Sequence, residues 1–310
     1  MKVCMTGAAG RIGQVFCGLA LRQPGLQLRV LLSPGSPRLP DPIEVVEGDL
    51  LQPESCERLL RGQDALVHLA WRGVPLAGSG FGAGLNDGLL PTLSLLDAAR
   101  RHEGLRIIFP SSGGTVYAER GARRPHREED PCLPRSPYAI QKLAAEHYIQ
   151  ALCADGGVSA RILRISTAYG WRAVPGALQG FIGIALASAV RGEPVRLVGD
   201  PANVRDFVHR DDVAEALLLA TNRPLAMGQV EVLNIGSCVG TSVREVLAMI
   251  ERELGRPVAT RQEHWDAARS LPGYAVLDIS RARQALGWQP RIALREGIRA
   301  GLHELLHLAA

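Results

Sequence analysis

The chain has 310 residues, enough for one large domain or two smaller ones with a proper core. Hydrophobic residues make up 46% and charged residues 21%, an ordinary soluble composition, and the net charge of +4 is spread without a lysine- or arginine-rich block, so no nucleic-acid partner is expected. No stretch of about 18 apolar residues is present to cross a bilayer, so no membrane partner is expected either.

The opening MKVCMTGAAG reads as a strand and its following turn, not as a signal peptide. Cysteines at 4, 17, 56, 132, 153 and 238 neither cluster nor form a CxxC pair, so they read as buried or incidental thiols. Neither a metal site nor a disulfide framework is expected, and the cytoplasm is the expected location.

In chain order, the strand candidates are KVCMT (2–6), LQLRVLL (26–32), IEVVE (43–47), ALVHLA (65–70), RIIFP (106–110) and ARILRI (160–165). Between them lie helical stretches such as RIGQVFCGLALR and LPTLSLLDAARR, whose apolar residues recur three to four apart. This β–α alternation predicts a parallel sheet covered by helices on both faces, and continuously apolar runs such as ALVHLA suit its central strands. The fold class expected is α/β, a Rossmann-type doubly wound sheet over residues 1–170, with returning segments near 206–235. Residues 171–310, where glycine, proline and arginine become frequent, are expected to form mainly a smaller substrate-binding region. It includes the helix GFIGIALASAVRG and a final helix from about Leu294. Ligands of such sheets bind at the carboxyl ends of the strands, where strand order switches.

The first strand ends in Thr6-Gly7-Ala8-Ala9-Gly10-Arg11-Ile12-Gly13, directly before a helix. Glycines let the backbone turn tightly against a pyrophosphate, and the N–H groups at the helix start favour its charge. This context predicts dinucleotide binding. An acidic residue to bond the adenosine ribose should follow at the end of the second strand, but Leu31-Leu32-Ser33 stands there. Two readings stay open: NAD held through Ser33 and backbone, or NADP with its 2′-phosphate near Ser33, Ser36 or Arg38.

Tyr138 and Lys142 open the helical stretch YAIQKLAAEHYIQ, four apart and so on one face. An ammonium near a phenol lowers the phenol pKa from about 10. Tyr138 then becomes a usable acid or base for a proton at a carbinol during hydride transfer to a nicotinamide.

Together with SSGGTVYA (111–118), these motifs resemble the extended short-chain dehydrogenase/reductases, specifically the NAD-dependent sugar epimerase/dehydratase branch. Further landmarks are GDL (48–50), HLA (68–70), LRISTAYG (163–170), VRDFVHRDDVAEA (204–216), VLNIGSCVGTSVREV (232–246) and DISRARQALGW (278–288). The resemblance implies that Gly7, Gly10, Arg11 and Ile12 hold the pyrophosphate and that Asp49 and Leu50 face the adenine. It implies that Leu69, Ala70, Ser111 and Ile165 line the cofactor, while Lys142 bonds its ribose and Tyr138 acts on the sugar hydroxyl. Gly113, Thr167 and Arg205 would face the substrate, with Arg205 on its diphosphate; the alternative for Arg205 is an ion pair with Asp206 or Asp211. His209 is expected to be structural.

The chain also departs from the family. Gly113 stands where a catalytic Ser or Thr usually does, so the missing hydroxyl falls to Ser112, then Thr115, or to a water in the vacated space. Neighbours in an extended segment point oppositely, so Ser112 substitutes only if the double glycine bends the loop. Thr167 replaces a usual Asn, Leu271 a usual Arg (with Arg269 nearby), and Gly88 a usual Asn (with Asn86 nearby). The dehydratases' Thr-Asp-Glu segment is here Gly113-Gly114-Thr115, which argues against dehydration. The expected function is therefore an NAD-dependent epimerase of a nucleotide-diphosphate sugar, at C4 in the family's manner, through a keto-sugar and hydride return, working as a homodimer. The alternative is an NAD(P)-dependent one-way keto-sugar reductase or sugar dehydrogenase. A non-catalytic cofactor sensor would have no need of Tyr138 and Lys142.

Overall fold

Each of the six predicted strands forms, within two residues of its sequence pattern. The structure, a computed structural model, describes residues 1–72, 82, 84–119, 123–170, 180–264 and 271–309. Arg269 lies outside the described residues. The first half runs β1 (Lys2–Thr6), α1 (Arg11–Ala20), β2 (Gln27–Leu32), β3 (Glu44–Glu47), α2 (Pro53–Leu60) and β4 (Ala65–His68). A π-helical turn (Leu85–Leu89) then leads into α3 (Leu90–Ala99), followed by β5 (Arg106–Ser112), α4 (Pro137–Ala154), β6 (Ser159–Ile165) and β7 (Thr167–Tyr169). The remainder is α5 (Phe181–Arg191), β8 (Val195–Val198), β9 (Val204–His209), α6 (Arg210–Asn222), β10 (Val230–Ile235), β11 (Gly240–Ser242), α7 (Val243–Leu254), β12 (Thr260–Glu263), β13 (Tyr274–Ala275), α8 (Ser280–Leu286) and α9 (Leu294–Ala309).

The main sheet has the order β10-β6-β5-β4-β1-β2-β3, with every pair parallel. Successive strands step away from β1 in opposite directions, which puts the switch point between β1 and β4. Both faces are covered. Val3 and Met5 pack on one side with Phe16, Val213 and Leu217, whereas Cys4 and Leu66 pack on the other with Leu59, Leu95 and Ile149. That double burial is why these strands read as unbroken apolar runs instead of alternating ones.

A second sheet, β11-β9-β13 with β7 beside β9, stands at the carboxyl end of β6, one residue beyond Ile165. Helices α5, α7 and α9 close a separate apolar cluster that includes Ile182, Leu186, Val246, Ile250, Ile298 and Leu302. Side chains cap the starts of α4, α6 and α7. Ser136 accepts the Ala139 N–H ahead of α4, and Ser242 and Glu245 form a capping box on α7. His209 caps α6: its ring nitrogen accepts the Asp211 N–H at 3.3 Å, and the ring meets Tyr169 edge-on at 5.2 Å. This is the structural role expected of it. Helix α1 differs from these three, because Gly10 offers no side-chain cap and its first turn carries no acid.

Candidate active site

The glycine turn is held against the end of β4. Gly7 has φ +73°, and a Cβ there would lie 2.7 Å from the Ala70 nitrogen and the Leu69 carbonyl carbon. Only glycine combines that dihedral with that approach. The Leu69 N–H bonds the Thr6 carbonyl at 3.2 Å and the Ala70 N–H bonds Thr6 Oγ1 at 3.1 Å, so Gly7, Leu69 and Ala70 form one ridge. Gly10, Arg11 and Ile12 start α1 directly above it. A helix leaves its first N–H groups without intrahelical partners. With no side chain at the cap and no acid nearby, this end suits an anion such as a pyrophosphate.

A buried polar chain supports the ridge. Thr6 Oγ1 lies 2.7 Å from His68 Nδ1, and His68 Nε2 lies 2.9 Å from Thr92 Oγ1. Thr92 donates to the Gly88 carbonyl at 2.7 Å, so its oxygen is free to accept from His68 Nε2–H, and Nδ1 accepts from Thr6. This arrangement requires a neutral imidazole. Burial, aided by the charge of Lys142, pushes the His68 pKa down to about 3.

The residues expected around the adenosine are more open. Ser33 is exposed in the turn after β2, and its carbonyl accepts the Ser36 N–H at 3.1 Å. Asp49 is exposed and accepts the Leu51 N–H at 3.0 Å, whereas Leu50 is buried beneath it. Both segments follow neighbouring strands, since Leu32 pairs with Glu47.

The SSGGTVYA segment ends β5 in a turn. The Thr115 and Val116 N–H groups both bond the Ser112 carbonyl at 3.1 Å, across Gly113-Gly114. The turn brings the two hydroxyls together, and Thr115 Oγ1 donates to Ser112 Oγ at 2.8 Å. The Ser112 hydroxyl also works on the Tyr138 phenol, pulling its pKa down against burial. The bend that the double glycine was expected to allow is present. The volume that a side chain at Gly113 would enter is filled: a Cβ there would meet Leu277 Cδ1 at 2.6 Å and the Arg164 carbonyl oxygen at 2.8 Å. Ile165 pairs with Ser112 across β5–β6, and Thr167 flanks the loop next to Gly114.

Tyr138 and Lys142 share a face of α4, but their electrostatics run against the sequence expectation. Burial raises the Tyr138 pKa, with the Ser112 hydrogen bond working the other way. Lys142 is itself pushed down to about 7 by burial, opposed by Glu146. Its Nζ donates to the Pro110 carbonyl at 2.9 Å and lies over the ring of Trp71. Enclosure, which penalises both charged forms, outweighs the mutual pull inferred from spacing alone.

One turn further along α4, Glu146 is fully buried. Arg164 Nε bonds its two oxygens at 3.2 and 3.1 Å, Arg164 Nη2 bonds it at 2.7 Å, and the Ser111 hydroxyl donates to it. Arg164 Nη1 also donates to the Tyr117 hydroxyl at 3.1 Å. Sequence reading missed Glu146 and Arg164. The signal was present: Glu146 continues the four-residue spacing of Tyr138 and Lys142, and Arg164 is one of two arginines set among the apolar residues of β6.

Arg205 stands on β9, between β11 and β13. Among the described residues no carboxylate pairs with it: its Nη1 donates to the Val204 carbonyl at 2.8 Å, and burial lowers its pKa to about 10, with Glu119 opposing. Both alternatives for an ion pair are occupied elsewhere. Asp206 accepts from Ser237 N and Oγ at 2.6 Å, from Cys238 N and Leu277 N at 3.2 Å and from Ser166 Oγ at 3.3 Å. Asp211 pairs with Arg210 and His209. A half-buried guanidinium that no carboxylate pairs with among the described residues fits an anionic ligand. Among the described residues no group of three or more His, Cys, Asp or Glu is placed to hold a metal ion, and no helix is long and apolar enough to cross a membrane.

The family model of the NAD-dependent epimerase/dehydratase family matches residues 3–236. The UDP-glucose 4-epimerase of Mycolicibacterium smegmatis is 31% identical over 313 residues, covering 96% of each chain. The crystal structure of Thermus thermophilus UDP-glucose 4-epimerase in complex with NAD superposes with a TM-score of 0.87 at 30% identity, covering 99% of both chains. That of Bacillus cereus UDP-glucuronic acid 4-epimerase, in complex with UDP-glucuronic acid and NAD, has a TM-score of 0.87 at 25% identity, covering 99% of this chain and 100% of the other.

Proposed function

The chain belongs to the NAD-dependent epimerase/dehydratase family, and from that premise we propose that it is an NAD-dependent epimerase inverting C4 of the sugar in a nucleotide-diphosphate sugar. The observation that carries this reading is the hydroxyl chain from Thr115 through Ser112 to Tyr138, which ends beside Lys142 at the carboxyl edge of the sheet. The cradle for the dinucleotide is the Gly7 turn, the uncapped start of α1 and the Leu69-Ala70 ridge, which leave no room for side chains where a pyrophosphate would pass. Bound there, NAD supplies reversible oxidation of the carbinol.

The residues of the chain do the proton work. Tyr138 takes the proton of the C4 hydroxyl and later returns it, and Ser112 donates to the phenolic oxygen to favour its anionic form. Lys142 bonds the ribose of the cofactor. Arg205 holds the diphosphate while the sugar turns, so firm nucleotide binding and a loosely held sugar coexist. Gly113 and Thr167 border the space for the sugar. The relatives include epimerases of UDP-glucose and of UDP-glucuronic acid, so the sugar itself is left to experiment.

Arg205→Leu tests the substrate part of this reading in an assay with UDP-glucose. Loss of a hydrogen-bonded charge on a phosphate, about 2 kcal/mol, should raise KM roughly 30-fold while kcat stays within a few-fold. An unchanged KM would mean that the diphosphate lies elsewhere.

A second reading, a one-way reductase using NADP, is favoured by the segment directly after β2, Ser33 to exposed Arg38, which carries no acid. Identification of the resident dinucleotide separates the two. The proposed assembly is a homodimer through α3 and α4, where Leu90, Ile140 and Tyr148 are exposed and the last two lie two turns apart on one face; light scattering measures it directly.

A further inference from the structure

Trp71 follows the Leu69-Ala70 ridge and belongs to none of the motifs that identify the family. Its indole covers the Lys142 ammonium, with Nζ 3.8 Å from the ring centroid, and Phe109 offers a second face at 4.7 Å. Tyr138 meets the same indole edge-on at 6.4 Å. Among the described residues the ammonium has one hydrogen-bond acceptor, the Pro110 carbonyl. A buried ammonium has three donors to satisfy, and a ring face within about 6 Å compensates part of that cost.

Room for the indole comes from Gly88, in the π-helical turn before α3. A Cβ at this position would lie 2.5 Å from Trp71 Cε2 and 2.8 Å from its Cδ2 and Cζ2. The departure from the family at Gly88 is thereby tied to a residue in contact with the catalytic lysine. The two positions work as a pair.

We propose that Trp71 is a positioning residue for Lys142: its indole face holds the ammonium against the Pro110 carbonyl and favours its charged form, with Gly88 as the gap that admits the ring. The inference rests on the reading that Lys142 works in the site. Among the described residues few other charges face Nζ. On α4 these are Glu146, already engaged by Arg164 of β6 and Ser111 of β5, and the phenol of Tyr138; on β4 it is His68, held neutral. Burial draws Lys142 down to about 7 against the pull of Glu146, so a change in the π face registers near neutral pH.

The chain has two lysines, Lys2 and Lys142, so protein labelled at lysine 13Cε gives two assignable NMR signals. Their titration is followed on the protein as purified, in wild type, Trp71→Leu, Trp71→Phe and Gly88→Ala. Trp71→Leu keeps the surroundings apolar but removes the π face, and should lower the Lys142 midpoint by about one pH unit. Trp71→Phe should restore it to within about 0.3 of a unit, since a π face returns. Gly88→Ala, which displaces the indole, should lower the midpoint like Trp71→Leu and add little in its background. A ring that merely packs would lower the melting temperature and leave the midpoint where it was, and an unchanged midpoint in both Trp71→Leu and Gly88→Ala overturns the inference. Should Trp71→Leu not fold, Gly88→Ala against wild type decides alone. Full turnover by Lys142→Ala would overturn the underlying reading instead, whatever the titration gives.

Discussion

Replacing Tyr138 by phenylalanine should lower kcat by about 10²–10⁴-fold, the range set by loss of a positioned acid–base group. The ring keeps its edge contact with Trp71, so packing is preserved and only the oxygen goes. That oxygen ends the hydroxyl chain from Thr115 and Ser112, and no other phenol stands beside Lys142: Tyr117 is buried beneath the loop on Asn234, and Tyr169 packs against His209. KM should move only a few-fold, because the diphosphate is assigned to Arg205 on β9. The two variants thus separate proton transfer from substrate anchoring. Turnover within ten-fold of wild type for Tyr138→Phe would contradict the role given to the phenol.

The second large effect lies beneath the site. Glu146→Gln should cost about 3–5 kcal/mol of folding stability, because it leaves the Arg164 guanidinium buried without its counter-charge. Burial alone would lower the Arg164 pKa, yet the hydrogen bonds and charge of Glu146 hold it above the usual arginine value. A loss of this size is a large part of the stability of an ordinary domain, so the urea midpoint should fall clearly. Replacing both partners with apolar residues should cost less than the single change, since the pair's own desolvation is then avoided. A loss below about 1 kcal/mol for Glu146→Gln would show that the buried pair is not what holds α4 to β6.

Periodicity made the sheet legible. Val3, Cys4 and Met5 alternate between two covered faces, so their strand is apolar throughout, and the helices between strands repeat at three and four. What periodicity could not reveal was which charged residues fold inward together. Glu146 and Arg164 are 18 positions apart and meet only because α4 crosses over β6. The carboxylate of Asp206 is likewise satisfied by donors from Ser166, Ser237, Cys238 and Leu277, which no local pattern groups.

At the site, spacing placed Tyr138 and Lys142 on one helical face but misjudged what that face does to them. Four-residue spacing fixes proximity; desolvation depends on what covers the pair, here Trp71 and Phe109 from distant strand ends. Gly113 is a similar case. From sequence it reads as a vacated side-chain position, while in the fold Leu277 and the Arg164 carbonyl occupy that volume.

The most direct test of an epimerase that recycles its cofactor in place is to unfold the purified protein and identify the nicotinamide dinucleotide it releases. The account predicts NAD, oxidised plus reduced, near one equivalent per chain. Protein that releases none and takes up NADP(H) on titration would contradict it, and the turn at Ser33 and Arg38 would then mark a one-way reductase.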